Sequence, residues 1–210
     1  MRSRAAAATL EGAGYKKVYS MEGGIRAWKG LVASMPPESG IAYFSPAIKP
    51  EEMVALAWFL ENGSRRFYAE LGHRLNEPDI SDLYAELASA EERHEATLLD
   101  LYREFVGAPP HDGFPKSVIS VENEDDVMEG GMRVADALQW VKGKSATEVL
   151  ELSLALEANS YDLYLNMERR LKDQASSQVF RVLSGEEKQH LERLSSLLEM
   201  ELTLSPHYTR

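Results

Sequence analysis

Glu91-Glu92-Arg93-His94 and Glu187-Lys188-Gln189-His190 are the stretches that decide the fold of this 210-residue chain. Each is a Glu-x-x-His, and each begins 30 positions after another glutamate, Glu61 for the first and Glu157 for the second. Tyr68 and Tyr164 stand seven positions after those glutamates. Adding 96 to any of these positions gives its counterpart, and apolar positions obey the same shift: Leu60 with Leu156, Leu87 with Leu183, Leu98 with Leu194. The chain therefore holds two copies of one unit.

Around these motifs the periodicity is helical. The pattern predicts helices from Pro50, a residue suited to a first helical position, to about Leu75, and from about Ser81 to Phe105. A third opens on the capping-box spacing Ser145 and Glu148 and runs to about Lys172, and a fourth covers about Ser176 to Leu202. Residues three apart share a helix face, so Glu91 and His94 can aim at one place, as can Glu187 and His190. Glu61 and Glu91 both lie ~20 Å from their connecting turn at 1.5 Å per residue, and the second pair repeats this. Four carboxylates and two imidazoles then meet at one level of the core. So many buried anions would be forced to protonate unless cations balance them, and two divalent metals supply that charge.

A lone Glu-x-x-His is an ordinary exposed pair on a helix. Two of them under one constant shift are not, because duplication of a purely structural hairpin does not explain charges kept on inward faces. Oxygen-rich ligation with two imidazoles suits iron or manganese better than copper, without choosing the metal; zinc held for stability is a further option. Tyr68 and Tyr164 are either core tyrosines with a bonded hydroxyl or groups that orient a ligating carboxylate or take part in redox chemistry. His73, His111 and His207 lack partners at ligand spacing and read as surface residues.

Residues 107–144 form a long connection with Pro109, Pro110, Gly113, Pro115 and the acidic Glu122–Glu129 run, and a short amphipathic helix near Met132–Val141. Two short turns and one long crossover match an all-α, ferritin-like four-helix bundle.

Composition narrows the function. The net charge of -11 disfavours nucleic acid and anionic membrane surfaces as partners. With no cysteine, the chain offers no disulfide, thiolate zinc site, iron–sulfur cluster or thiol nucleophile. No apolar run approaches the ~20 residues of a membrane span, and a cytoplasmic location is expected. Residues 1–33 differ in kind: six Lys or Arg against two Glu, leaving 17 basic and 32 acidic residues for the rest. A helix from Ser3, a strand Lys17-Val18-Tyr19-Ser20-Met21 and a helical turn at Trp28 predict a small α/β piece over 1–35. A linker, 36–48, follows, and the bundle occupies 49–203.

The order Glu61, Glu91-x-x-His94, Glu157, Glu187-x-x-His190, with Phe67-Tyr68 and Leu163-Tyr164 ending seven on from each first Glu, resembles the rubrerythrin branch of the ferritin-like superfamily over about residues 45–202. The resemblance implies a dinuclear iron site, cycling between ferrous and ferric, held by Glu61, Glu91, His94, Glu157, Glu187 and His190, and reduction of peroxide or dioxygen. Two departures stand out. The family's four-cysteine rubredoxin module is missing, so electrons are expected from an external donor protein, and Ser160 occupies a position where the family carries a further carboxylate. Separately, Arg2-Ser3-Arg4-Ala5-Ala6-Ala7, Gly14-Tyr15 and Val18 to Trp28 with its Gly23-Gly24-Ile25-Arg26-Ala27-Trp28 ending resemble the C-terminal end of a rhodanese domain. The sulfur-carrying cysteine of that family precedes this stretch, so no sulfurtransferase activity is expected.

Three functions follow: a di-iron oxidoreductase acting on peroxide or dioxygen in oxidative-stress defence, a ferrous-iron oxidising and handling protein, or a metal-stabilised structural bundle. A homodimer is expected by analogy of fold, with the basic N-terminal piece as one means of docking on the acidic remainder.

Overall fold

The structure is a computed structural model that describes residues 49–75, 78–119 and 127–204. The α/β piece and linker expected over 1–48, with their rhodanese resemblance, lie outside the described residues, as does His207.

Helix α1, Pro50–Arg74, begins on Pro50, and the Glu52 carboxylate accepts the Lys49 N–H at 3.1 Å. Helix α2, Pro78–Val106, starts one turn earlier than the apolar pattern suggests, with proline at its first position. The Ser81 hydroxyl donates to the Gly72 carbonyl at 2.7 Å and ties this hairpin together. Helix α4, Ala146–Arg170, opens on the expected capping box: Glu148 N–H donates to Ser145 Oγ at 3.3 Å and Ser145 N–H to Glu148 Oε2 at 3.1 Å. Helix α5, Gln174–Leu204, is capped by Asp173, whose carboxylate accepts the Ser176 N–H at 2.8 Å.

The crossover between the hairpins holds strands β1, Val127–Met128, and β2, Met132–Arg133, paired antiparallel around a 3-10 turn at Glu129–Gly131, and then helix α3, Val134–Trp140. Its first part is pinned by Phe114, whose ring lies 5.3 Å from Trp58 on α1 and 4.7 Å from Tyr102 on α2. The architecture is the all-α, ferritin-like four-helix bundle expected from the repeat. No helix among the described residues is long and apolar enough to cross a membrane.

Two apolar layers fill the bundle. One gathers Met53, Leu56, Leu60, Leu98, Leu101, Leu163, Phe180 and Leu183; the other Phe67, Leu71, Leu83, Leu87, Leu150, Leu156 and Leu194. All six leucines of the 96-residue shift are buried. On every long helix the motif glutamates and histidines fall between the two layers, so apolar packing seals the polar level above and below. Each buried leucine contributes roughly 1.5–3 kcal/mol, and these layers hold the charged level in place.

Gly63 sets how closely the crossover lies on α1. A Cβ at this position would come within 3.0 Å of three backbone atoms, Val127 O and C and Met128 Cα. Backbone cannot swing aside as a side-chain tip can. Gly63→Ala is therefore expected to lower the melting temperature by about 5 °C, the overpacking cost of roughly 1–3 kcal/mol outweighing the ~1 kcal/mol that alanine gains inside a helix. A thermal melt at or above the parent's would show that the crossover does not press on α1.

Candidate metal centre

Each long helix sends its motif side chains into the level between the apolar layers. Glu61, Glu91, His94, Glu157 and Glu187 are each at most 2% exposed and His190 is 8% exposed. Their ligand atoms fall into two groups. Glu61, Glu91, His94 and Glu187 each place a ligand atom within 4.8 Å of the others, and Glu91, Glu157, Glu187 and His190 do the same. Glu91 and Glu187 belong to both groups. Each group is three carboxylates and one imidazole, and the two are related as the sequence repeats are. Both imidazoles turn Nδ1 inward: His94 Nδ1 lies 3.0 Å from Glu91 and 3.1 Å from Glu187, His190 Nδ1 lies 3.0 Å from Glu157 and 3.6 Å from Glu187. The two rings stack at 5.7 Å.

Electrostatics show how much charge this level concentrates. Burial, then the neighbouring Glu91, pushes the Glu61 carboxyl well above the usual carboxylate range. Burial and Glu187 push Glu157 up to about 7. For Glu187, burial and Glu91 push upward, but His190 and His94 outweigh them and hold it below the ordinary value. Burial alone would lower both histidines; instead the carboxylates beside them, Glu61 foremost for His94 and Glu157 for His190, raise His94 well above its usual value and His190 to about 10. Protons thus carry the balancing charge that divalent cations would bring.

Residues present fit a pair of metal ions. Both oxygens of Glu61 and both of Glu187 are buried without a well-aligned hydrogen bond, and what faces them is imidazole Nδ1, 3.4 Å from Glu61 and 3.1 and 3.6 Å from Glu187. Such atoms cost several kcal/mol unless a cation or proton satisfies them. Two sets of one nitrogen and three oxygen donors, sharing two carboxylates, are a donor set for two hard or borderline divalent ions.

The tyrosines behave differently from each other. Tyr68 donates to Glu157 Oε1 at 2.5 Å, reaching the glutamate of the other repeat instead of its own. The Tyr164 hydroxyl is buried without a hydrogen-bond partner, its ring edge-on to His94 at 6.4 Å. His73 and His111 are exposed and take no part in the centre.

Two residues that the repeat does not reveal also face the centre. Glu129, in the crossover's 3-10 turn, is 2% exposed, accepts a hydrogen bond from Ser64 and has its other oxygen unpartnered. Burial and the charge of Glu91 push its carboxyl well above the ordinary range. Ser64 is the 96-shift counterpart of Ser160, so this crossover carboxylate sits against the α1 equivalent of the position where the serine departs from the rubrerythrin pattern. In the sequence it closes the acidic Glu122–Glu129 run, and no periodicity there marks it as inward-facing. The second residue is Glu186, whose Oε2 lies 3.1 Å from His94 Nε2.

Residues 52–137 match the rubrerythrin family model, a stretch that includes Glu61, Glu91, His94 and Glu129 and ends before α4. A solved hypothetical protein from Pyrococcus furiosus is similar in fold, with a TM-score of 0.59 at 24% identity, covering 83% of this chain and 100% of that one. No curated protein matches. The chain is thus a ferritin-like four-helix bundle whose residues 52–137 are rubrerythrin-like.

Proposed function

We propose that this chain is a non-haem di-iron protein: Glu61, His94, Glu91 and Glu187 would hold one iron ion, and Glu157, His190, Glu91 and Glu187 the other. The observation that carries this reading is the pair of donor groups sharing two carboxylates. A bound ferrous pair supplies two electrons at one place, which matches the two-electron, two-proton reduction of peroxide to water. Residues of the chain provide the rest. The apolar layers keep bulk water away, Tyr68 holds a proton at Glu157 Oε1, and the buried Glu129 carboxyl stands ready beside Ser64 as a further proton carrier. These 210 residues hold no cysteine, and on this reading an external donor supplies the electrons. A homodimer belongs to the same reading, on fold analogy.

Mixing the anaerobic ferrous protein with peroxide and, separately, with dioxygen tests the substrate. Oxidation by peroxide at least roughly tenfold faster, about 1.4 kcal/mol in barrier, is the expected result. Faster oxidation by dioxygen, with ferric iron released, would favour iron handling instead. A purified protein lacking any peroxide-sensitive ferrous pair would remove both redox readings.

A further inference from the structure

The repeat is broken at one place that touches the centre. Glu186 bonds His94 Nε2 at 3.1 Å, and its 96-shift counterpart is Ala90, which has nothing to offer the equivalent nitrogen of His190. Among the described residues, the polar contacts of His190 run through Nδ1, to Glu157 and Glu187. His94 is 1% exposed and His190 8%. Ala90 and His190 share the wall of a groove of about 750 Å³ between α2 and α5, with Glu86 and Arg193 paired across it. A carboxylate on the far nitrogen of a ligating imidazole fixes its tautomer and makes it a stronger donor, and losing such a partner typically costs ~10–100-fold in metal affinity.

The carboxylates point the same way. Glu157 Oε1 accepts from Tyr68, whereas Tyr164, the counterpart of Tyr68 under the 96-residue shift, makes no hydrogen bond and Glu61 accepts none from a hydroxyl. Either imidazole must give up its carboxylate contacts to a cation, but only at Glu157 does the cation also compete with a tyrosine hydroxyl.

Building on the dinuclear reading, we propose that the two metal positions are unequal. The Glu61–His94 position is tight, locked from behind by Glu186. The Glu157–His190 position is the weaker and exchangeable one, filled and emptied through the α2–α5 groove. Glu186 is a positioning residue that acts through His94, and Ala90 keeps the second position labile.

Stepwise titration of metal-free protein with Co²⁺, followed by calorimetry and by the cobalt absorption bands, tests this. Two steps separated by ~10–100-fold are expected. Glu186→Ala is expected to weaken the tight step by about tenfold or more and leave the weak step unchanged, with Glu186→Gln between the two. Because the Glu186 side chain is 38% exposed at the groove, these variants should fold like the parent. Ala90→Glu should strengthen the weak step and bring the two together; if that variant does not fold, the Glu186 pair decides alone. Two equal steps in the parent, or a Glu186→Ala effect shared by both steps, would overturn the inequality while leaving two metals bound. Fewer than two Co²⁺ per chain would instead overturn the dinuclear reading.

Discussion

Glu91→Ala and Glu187→Ala are each expected to abolish binding of both metals, while Glu61→Ala and Glu157→Ala abolish one. Glu91 and Glu187 stand in both donor groups, and Glu61 and Glu157 in one each. Removing a shared carboxylate takes a ligand and a compensating negative charge from both positions at once. The loss should exceed the ~100-fold that an outer partner of a ligand contributes. Each change also breaks buried contacts to His94 or His190 and so lowers stability, and a thermal melt of each metal-free variant, confirming a folded bundle, accompanies the metal count. Elemental analysis after anaerobic loading with ferrous iron gives the count per chain. One full equivalent retained in Glu91→Ala, or the same loss in all four variants, would refute the shared-ligand assignment.

That prediction divides the six residues by a distinction that the sequence carries only in part. The 96-residue shift makes all six legible as one set, because helix geometry converts a spacing of three into a shared face and equal distances from a turn into equal height. Which carboxylates are shared depends on how the two hairpins dock, and no spacing within a hairpin records it. Tyr68 illustrates the same limit: the sequence places it beside Glu61, two turns along one helix, while its hydroxyl crosses to Glu157. Glu129 was hidden for another reason. The crossover has no period, so nothing local separates an acidic side chain turned inward from one in water; what turns it inward is the close approach of Val127 to Gly63. Strands of two residues are likewise too short for alternation to register. Glu186 was legible in principle, since it marks a place where the repeat fails beside a motif that otherwise keeps it.

The metal-free protein is expected to lose stability steadily as pH rises from about 5 to about 9, and the loaded protein to escape that loss. Glu157 carries a folded-state value of about 7 against 4.5, so its contribution is complete below the unfolded value and disappears as pH climbs through 7. Glu61 and Glu129 are raised for the same reason, burial, and have the same sign. His190, raised to about 10 from 6.5, extends the decline to higher pH, since the folded state must release a proton that its carboxylates hold. Glu187 has the opposite sign, but its lowered value places its slope below the ordinary carboxylate range, outside this window. The shift on Glu157 alone corresponds to roughly 3 kcal/mol, or about 5–10 °C for a domain of this size. Divalent cations compete with these protons, so their affinity grows as pH rises. The gap between the melting curves of loaded and metal-free protein should therefore widen across the same range. Thermal melts at pH 5, 7 and 9, with and without Co²⁺, measure it. The surface also repels itself more at high pH, given a net charge of -11, so Glu157→Gln serves as the control: a neutral side chain of the same shape should flatten the metal-free profile between pH 5 and 8. A profile that keeps its full slope in Glu157→Gln would place the effect on the surface and remove the buried carboxylates as its cause.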